Sequence, residues 1–162
     1  MATSFKISID DAAVQRAFDR LIRAGTDLTP AMDDIGRSLV ASTEIRFERG
    51  HGPDGAAWTP SYRASSEGGK TLVKEHHLKD SITHDPSRDE VRVGTNVLYA
   101  AVHQFGATIR AKTSRGLRFR SGGNWVTKKQ VTIPARPFLG VSRDDQAEIG
   151  HILADHIREA FQ

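Results

Sequence analysis

The sequence contains no cysteine, which excludes disulfides, thiolate zinc sites and cysteine nucleophiles together. It also lacks any apolar run approaching the roughly 18 to 20 residues of a membrane helix, and its first residues hold no apolar segment of signal-peptide length. We therefore expect no membrane partner. A chain of 162 residues can bury a core without help from a disulfide or a metal.

Motifs of catalysis and nucleotide binding are missing as well. There is no GxxxxGK[ST] or HExxH motif and no GxSxG motif. The seven histidines do not form a helical ligand pair, because His76 and His77 are adjacent and His151 and His156 are five residues apart rather than four. We predict no cofactor, no metal site and no enzymatic activity. A small hydrolase would have only the histidines to support it.

Acidic residues are absent from the whole stretch between residues 91 and 143. The rest of the chain holds 13 basic and 20 acidic residues and sums to −7. Such an asymmetry indicates binding to a polyanion or to an acidic face of a partner. The stretch itself contains ten lysines and arginines: Arg92, Arg110, Lys112, Arg115, Arg118, Arg120, Lys128, Lys129, Arg136 and Arg143.

Apolar spacing and turn signals predict an α+β fold. Thr29 and Pro30 are typical of a helix start, while Asp10–Asp11 and Asp33–Asp34 are interpreted as acidic residues near helix N-termini. We expect one domain over residues 1–162, with a mainly antiparallel sheet packed against two N-terminal helices and a C-terminal helix. The predicted elements are a strand at 5–9, helices at 11–24 and 29–49, a hairpin at 77–94, a short helix at 98–105, a long hairpin at 107–133 and a helix at 144–161.

Glycine and proline dominate residues 50–75, so we expect a flexible loop there. Trp58 lies in this loop with little local sequence to cover its large ring. Two readings stay open: the ring folds back onto the core, or it contacts a neighbouring subunit.

The hairpin insert at about 108–133 is polar and basic and is expected to project from the body. Phe119 lies between two arginines and Trp125 follows, a pattern suited to phosphate contact with stacking. Three readings stay open: an acidic partner surface, DNA, or a solvated loop without a specific partner. The candidate contact residues are Lys112, Arg115, Arg118, Arg120, Lys128 and Lys129, together with Trp58.

Four segments resemble the phage virion morphogenesis family, also called tail completion proteins. They are LYAAVHQFGATI (98–109), VTIPARPFLGVS (131–142), GPDGAAWTPSY (52–62) and HLKDSITHD (77–85). The resemblance implies a non-enzymatic protein of the head–tail neck, located in the virion and in the host cytoplasm during assembly. It also implies a six-fold ring of copies around the DNA channel. The implied neighbours are the tail terminator, tail tube and head-side connector proteins, with channel DNA as a further partner.

The first two segments are interpreted mainly as fold-maintaining, with direct partner contact as the alternative. Tyr99, Val102 and Phe105 are predicted to form a packing ridge, and Gly106 allows a sharp exit from the short helix. Prolines stiffen the second segment, so that Phe138 can anchor it on the core. The candidate fold-maintaining residues are Tyr99, His103, Phe105, Gly106, Pro134, Arg136, Pro137 and Phe138.

The sequence therefore predicts a structural neck subunit that completes the tail and helps join it to the head. The alternative is a stand-alone basic DNA-binding protein, which the acid-free stretch supports.

Overall fold

The computed structural model describes residues 16, 19, 27–121 and 123–160. The predicted strand at 5–9 and most of the first predicted helix lie outside this part of the chain. Arg16 and Asp19, the two residues described there, are both helical.

Helix α1 (Thr29–Arg49) forms where the sequence predicted a helix. Pro30 fits the first turn, where its missing N–H removes no intrahelical bond. Gly50 ends the helix with a left-handed φ of 73°, and its N–H donates to Arg46, as expected of a glycine after a helix C-terminus. The predicted stripe is confirmed as buried: Met32, Ile35, Leu39, Thr43 and Phe47.

The core surrounds α1, which packs against a β-hairpin and against the C-terminal helix. The hairpin consists of β1 (Thr83–Pro86) and β2 (Val91–Gly94), paired antiparallel with Thr83 opposite Gly94, as predicted. The C-terminal helix (Arg143–Ala160) confirms the last predicted helix, and it buries Ile149 and Leu153 against the core. The fold is thus a mixture of helices and antiparallel strands.

The remaining strands form two ladders that lie end to end in one hairpin. Strand β3 (Ala107–Arg110) pairs antiparallel with β6 (Gln130–Ile133). Strand β4 (Leu117–Ser121) pairs antiparallel with β5 (Asn124–Lys128). The backbone bond from Ala111 to Lys129 (2.8 Å) lies between the ladders. Two short helices precede this hairpin, α2 (Tyr62–Glu67) and α3 (Ala100–Phe105). The C-terminal helix is called α4.

The described strands do not join into the single, mainly antiparallel sheet that the sequence suggested. Within residues 27–121 and 123–160 they form three separate two-stranded sheets. No described residue of β3, β4, β5 or β6 is buried. These short strands therefore do not bury a face against the helices, as the strands of a larger packed sheet do.

Residues 50–75 contain more local structure than a plain loop. Helix α2 forms there because Ser61 caps it, its side chain accepting from the Ala64 N–H at 3.2 Å. Glu48 on α1 forms salt bridges with Lys70 in this segment and with Lys79 beyond it. The flexibility of the segment stays a prediction.

Candidate assembly interface

The most basic surface is the hairpin of residues 107–133, which we call the arm. It contains seven lysines and arginines and no acidic residue. The register sets Arg118 opposite Thr127 and Arg120 opposite Trp125, so these four residues share one face. The face is exposed and therefore available to a partner.

Trp125 gives the arm face an apolar centre. Its ring is 63% exposed, and the Arg118 guanidinium carbon lies 4.6 Å from the ring centroid. This is a cation–π contact, which holds the cation and the ring together as one unit. Tryptophan and arginine are enriched among the residues that dominate interface energies.

The predicted arm contacts all lie on the surface. Lys112, Arg115, Arg118, Arg120, Lys128 and Lys129 are exposed, and the structure thus brings them onto one hairpin of the chain. The tip of the arm is not isolated, since Phe119 and Arg120 share an open cleft with Tyr62 and Glu67 of α2.

The base of the arm is fastened to the body by the two motifs at its ends. The Arg136 N–H donates to the His103 carbonyl oxygen at 2.7 Å, and Arg136 Nε donates to the Thr59 carbonyl oxygen at 2.7 Å. Gly106 has a φ of 71°, and a Cβ there would lie 2.8 Å from the Ala135 nitrogen. A side chain at residue 106 would therefore push the two ends of the arm apart.

Gln104 also binds the two motifs together, a role that the sequence did not reveal. Its Oε1 accepts from the N–H groups of Phe138 and Leu139, both at 3.0 Å. Its Nε2 donates to the Leu139 carbonyl oxygen at 2.8 Å. The Phe138 side chain is fully buried, so this clamp fixes the segment that leads into α4.

The predicted packing ridge on α3 is wrong for Tyr99 and Phe105. Their side chains are 44% and 65% exposed, and Ala100 is the residue of α3 that is buried. A helix of six residues can turn only a few side chains towards the core, and in α3 the buried one is Ala100. Tyr99 instead contacts the His103 ring edge-on, with centroids 5.8 Å apart.

His103 is a half-buried histidine between the arm base and α3. Burial lowers its pKa, and the nearby Arg136 charge lowers this pKa further. Its Nδ1 is buried and has no hydrogen-bond partner among the described residues. The neutral ring suits this position between an aromatic side chain and a guanidinium.

Trp58 belongs to the core, which decides between its two readings. Its ring is 7% exposed and meets Phe47 edge-on at 5.6 Å between centroids. Its Nε1 donates to the Pro137 carbonyl oxygen at 2.9 Å. The apolar ring is buried and its N–H has a hydrogen-bond acceptor, both within the chain. Trp58 is therefore not available as a contact residue for a partner.

A buried ion pair joins α1 to the start of α4, and sequence reasoning missed it. Arg46 forms a salt bridge with Asp145 and donates to the carbonyl oxygens of Phe138 (3.0 Å) and Gly140 (2.9 Å). The spacing of Ser142 and Asp145 is that of a capping box, and this pattern could have indicated a helix start with a fixed Asp145. In the structure each of the two side chains accepts a hydrogen bond from the backbone N–H of the other residue.

Burial lowers the pKa of Arg46, against the opposing charge of Asp145. Burial also acts to raise the pKa of Asp145. The hydrogen bonds from Ser42 and Ser142 and the charge of Arg46 outweigh that effect, so the pKa of Asp145 is lowered. The pair is therefore held in its charged form.

Asp33 and Asp34 bind histidines, which corrects their interpretation as helix-start residues. His84 Nε2 lies 2.7 Å from Asp33 Oδ1, and His156 Nε2 lies 2.9 Å from Asp34 Oδ2. These contacts link β1 and α4 to the same turn of α1. In the part of the chain that the structure describes, no three histidine or acidic residues cluster as metal ligands, and no helix could span a membrane.

A model of the Phage virion morphogenesis family matches residues 9–158. The chain belongs to this family. Among its relatives is the Mu-like prophage FluMu G protein 2 of Haemophilus influenzae, 32% identical over 154 residues that cover 94% of this chain and 96% of the relative. Another is the putative capsid assembly protein G of Escherichia phage Mu, 26% identical over 172 residues that cover 100% and 99%. No solved structure matches the chain significantly.

Membership of the virion morphogenesis family fixes the general role. The chain is a structural phage protein that takes part in virion morphogenesis, and it is not an enzyme. The hydrolase reading is thereby discarded, and two of the histidines on which it rested hold the fold together through Asp33 and Asp34.

Proposed function

We propose that the chain is a subunit of the head–tail neck, which completes the tail and helps join it to the head. In this proposal the copies form a six-fold ring around the DNA channel. The neighbours would be the tail terminator, tail tube and head-side connector proteins. Both the family and the capsid-assembly name of the phage Mu relative are compatible with a position between head and tail.

The observation that supports this proposal most directly is the arm. No described residue in its four strands is buried, so the fold gains little from keeping it. Its exposed face nevertheless carries the Trp125 ring with the Arg118 guanidinium stacked on it. Surfaces of this kind bind partners. The exposed Tyr99 and Phe105 at the arm base add apolar surface next to it.

The test is complementation of a phage that lacks this gene, with Arg115, Arg118 and Arg120 all changed to Glu. We expect a folded protein, since all three side chains are exposed, but a large drop in infectious particles. Mass spectrometry of purified virions should detect the wild-type chain. The matched control changes Arg16, Arg88 and Arg158, which are exposed outside the arm, to Glu and should complement. Virions that lack the wild-type chain would refute the proposal.

Stand-alone DNA binding is the second candidate, because the acid-free arm face also fits a phosphate backbone. Light scattering after size-exclusion chromatography separates the two. A closed ring, or a monomer that joins virions, supports the neck role. Tight DNA binding by the isolated chain with a steep salt dependence, together with its absence from virions, supports the alternative.

A further inference from the structure

A groove lies between α1, the start of α4 and residues of the loop that follows α1. Small residues of α1, Ser38 and Ala41, line its floor, and the first turns of α4 form one wall. Ile45 stands in the groove with 48% of its side chain exposed. An apolar side chain of this size, set among small residues, gives the groove an uncovered apolar spot.

The α4 wall of this groove carries two exposed carboxylates, Asp144 and Glu148. Residues four apart lie on the same helical face. Neither carboxylate forms an ion pair with a cation of the described chain, whereas Asp145 between them is taken by Arg46. Arg49 belongs to the same groove, so the negative charge is concentrated on the α4 side.

We propose that the arm of one copy docks in the α1–α4 groove of a neighbouring copy. Trp125 would cover Ile45, and Arg118 and Arg120 would pair with Asp144 and Glu148. This inference rests on the proposed ring and names the contact that would build it.

The spacing of the charges matches on the two surfaces. Residues two apart on a strand, such as Arg118 and Arg120, are separated by about 6.6 Å. Residues four apart on a helix, such as Asp144 and Glu148, are separated by about 6 Å along its axis. Two arginines on one strand face can therefore meet both carboxylates at once.

The occupant is a second copy because the arm is held elsewhere in its own chain. The arm base is bonded to His103 and Thr59, and its tip borders α2 rather than α1 or α4. No arm residue lines the α1–α4 groove. An arm that reaches from each copy to a different surface of the next makes a head-to-tail contact, which closes into a ring when the rotation allows.

The absence of cysteine makes this contact measurable by site-directed cross-linking. Ile45→Cys marks the groove and Thr127→Cys, beside Arg118 on the arm face, marks the arm. Phage carrying the I45C/T127C chain would be purified and treated with a short bis-maleimide. We expect a ladder of linked copies on a denaturing gel. The control pairs I45C with R88C, which is exposed in the β1–β2 turn, and should give single chains.

Charge exchange provides the second measurement, with association followed by light scattering and by yield of particles. R118E/R120E alone and D144K/E148K alone should each weaken association at least about tenfold, as expected for close interfacial charge pairs. The two sets combined in every copy should recover most of it. Circular dichroism identifies any variant that fails to fold, and the cross-linking result does not depend on these variants.

Three results would overturn the inference: chains present in virions but not linked through residues 45 and 127, a link formed only within one chain, or no recovery in the combined, folded variant. Each of the three leaves the neck role standing. Absence of the wild-type chain from virions would instead remove the neck role itself.

Discussion

At the scale of single residues, the fold depends on one buried charge pair. Arg46 holds two carbonyl oxygens of the segment before α4 as well as the Asp145 carboxylate at its start. Its neighbours Thr43 and Phe47 are buried with it. Removing either charge would leave the other buried without compensation, a strongly destabilising change.

Asp145→Ala should lower the free energy of unfolding by about 3–5 kcal/mol. The variant leaves the Arg46 guanidinium buried and also removes the carboxylate that accepts from the Ser142 N–H before α4. Urea unfolding followed by circular dichroism measures the change. Asp155→Ala, which breaks an exposed pair with Arg158, is the control and should cost less than about 1 kcal/mol. A loss of that small size at Asp145 would contradict the structural role given to the pair.

Gly36 of α1 is required because the His84 ring lies against it. A Cβ at residue 36 would lie 2.4 Å from His84 Cδ2 and 2.9 Å from its Cβ, so the whole side chain would have to move. The contact between His84 and Asp33 would be lost with it.

Gly36→Ala should therefore destabilise the protein by about 1–3 kcal/mol, the usual cost of overpacking. In a His84→Gly background, which removes the Cβ of residue 84 as well as its ring, the same change should stabilise, since alanine is the better helix former by up to about 1 kcal/mol. Gly150→Ala in α4, where an added Cβ meets nothing within 4 Å, is the control and should also stabilise. Equal effects of Gly36→Ala in both backgrounds would show that His84 is not the obstacle.

At the scale of elements, Glu48 ties α1 to the long segment that follows it. Its hydrogen bonds from Lys70 and Lys79, and then their charges, lower its pKa from 4.5 to about 2. The same contact raises the pKa of Lys79. Since the folded pKa is lower than the unfolded one, the stabilisation is complete above pH 4.5 and is lost as the pH falls towards 2.

Glu48→Gln should consequently lower the melting temperature at pH 6, with the gap to wild type closing between pH 4.5 and pH 2. The exposed position of the carboxylate means that the gap is small, and added salt should reduce it. Thermal unfolding across this pH range checks the prediction. Lys79→Met removes a partner and should reproduce the narrowing, whereas a constant gap would show that Glu48 makes no pH-dependent contribution.

At the scale of the whole molecule, the chain divides into a body with a core and an arm with charge. Each buried apolar residue of the core lies outside residues 107–133, and all the arm's charges are positive. The body folds around α1, and the arm extends from two motifs that bind each other through Gln104. The buried core thus belongs to the body, and the arm carries the positive charge of the proposed contact.

Replacing residues 112–128 by Asn-Gly should leave the melting temperature within a few degrees of wild type. Ala111 and Lys129 already share a backbone hydrogen bond, and Asn-Gly is the favoured two-residue hairpin turn. Differential scanning calorimetry tests the fold, and complementation should fail because the contact face is gone. Loss of cooperative unfolding would mean that the arm contributes to the core, contrary to this division.

The sequence by itself determined the features that depend on neighbouring residues. Thr29–Pro30 and the apolar stripe predicted α1, the turn signals at residues 85–89 predicted the β1–β2 hairpin, and the acid-free stretch predicted a basic arm. Helix starts, turns and periodicity act within a few residues, so they can be read along the chain. Family membership was also visible in the motifs around residues 98–109 and 131–142.

Only the tertiary structure decided which distant residues meet. The direction of the Trp58 ring, the Arg46–Asp145 pair and the exposure of Phe105 all depend on contacts across many tens of residues. An aromatic side chain has the same local preferences whether it faces the core or a neighbour. Trp58 packs against Phe47 of α1 while Phe105 stays on the surface, and because these outcomes depend on distant residues, the sequence alone could not separate the two aromatic side chains.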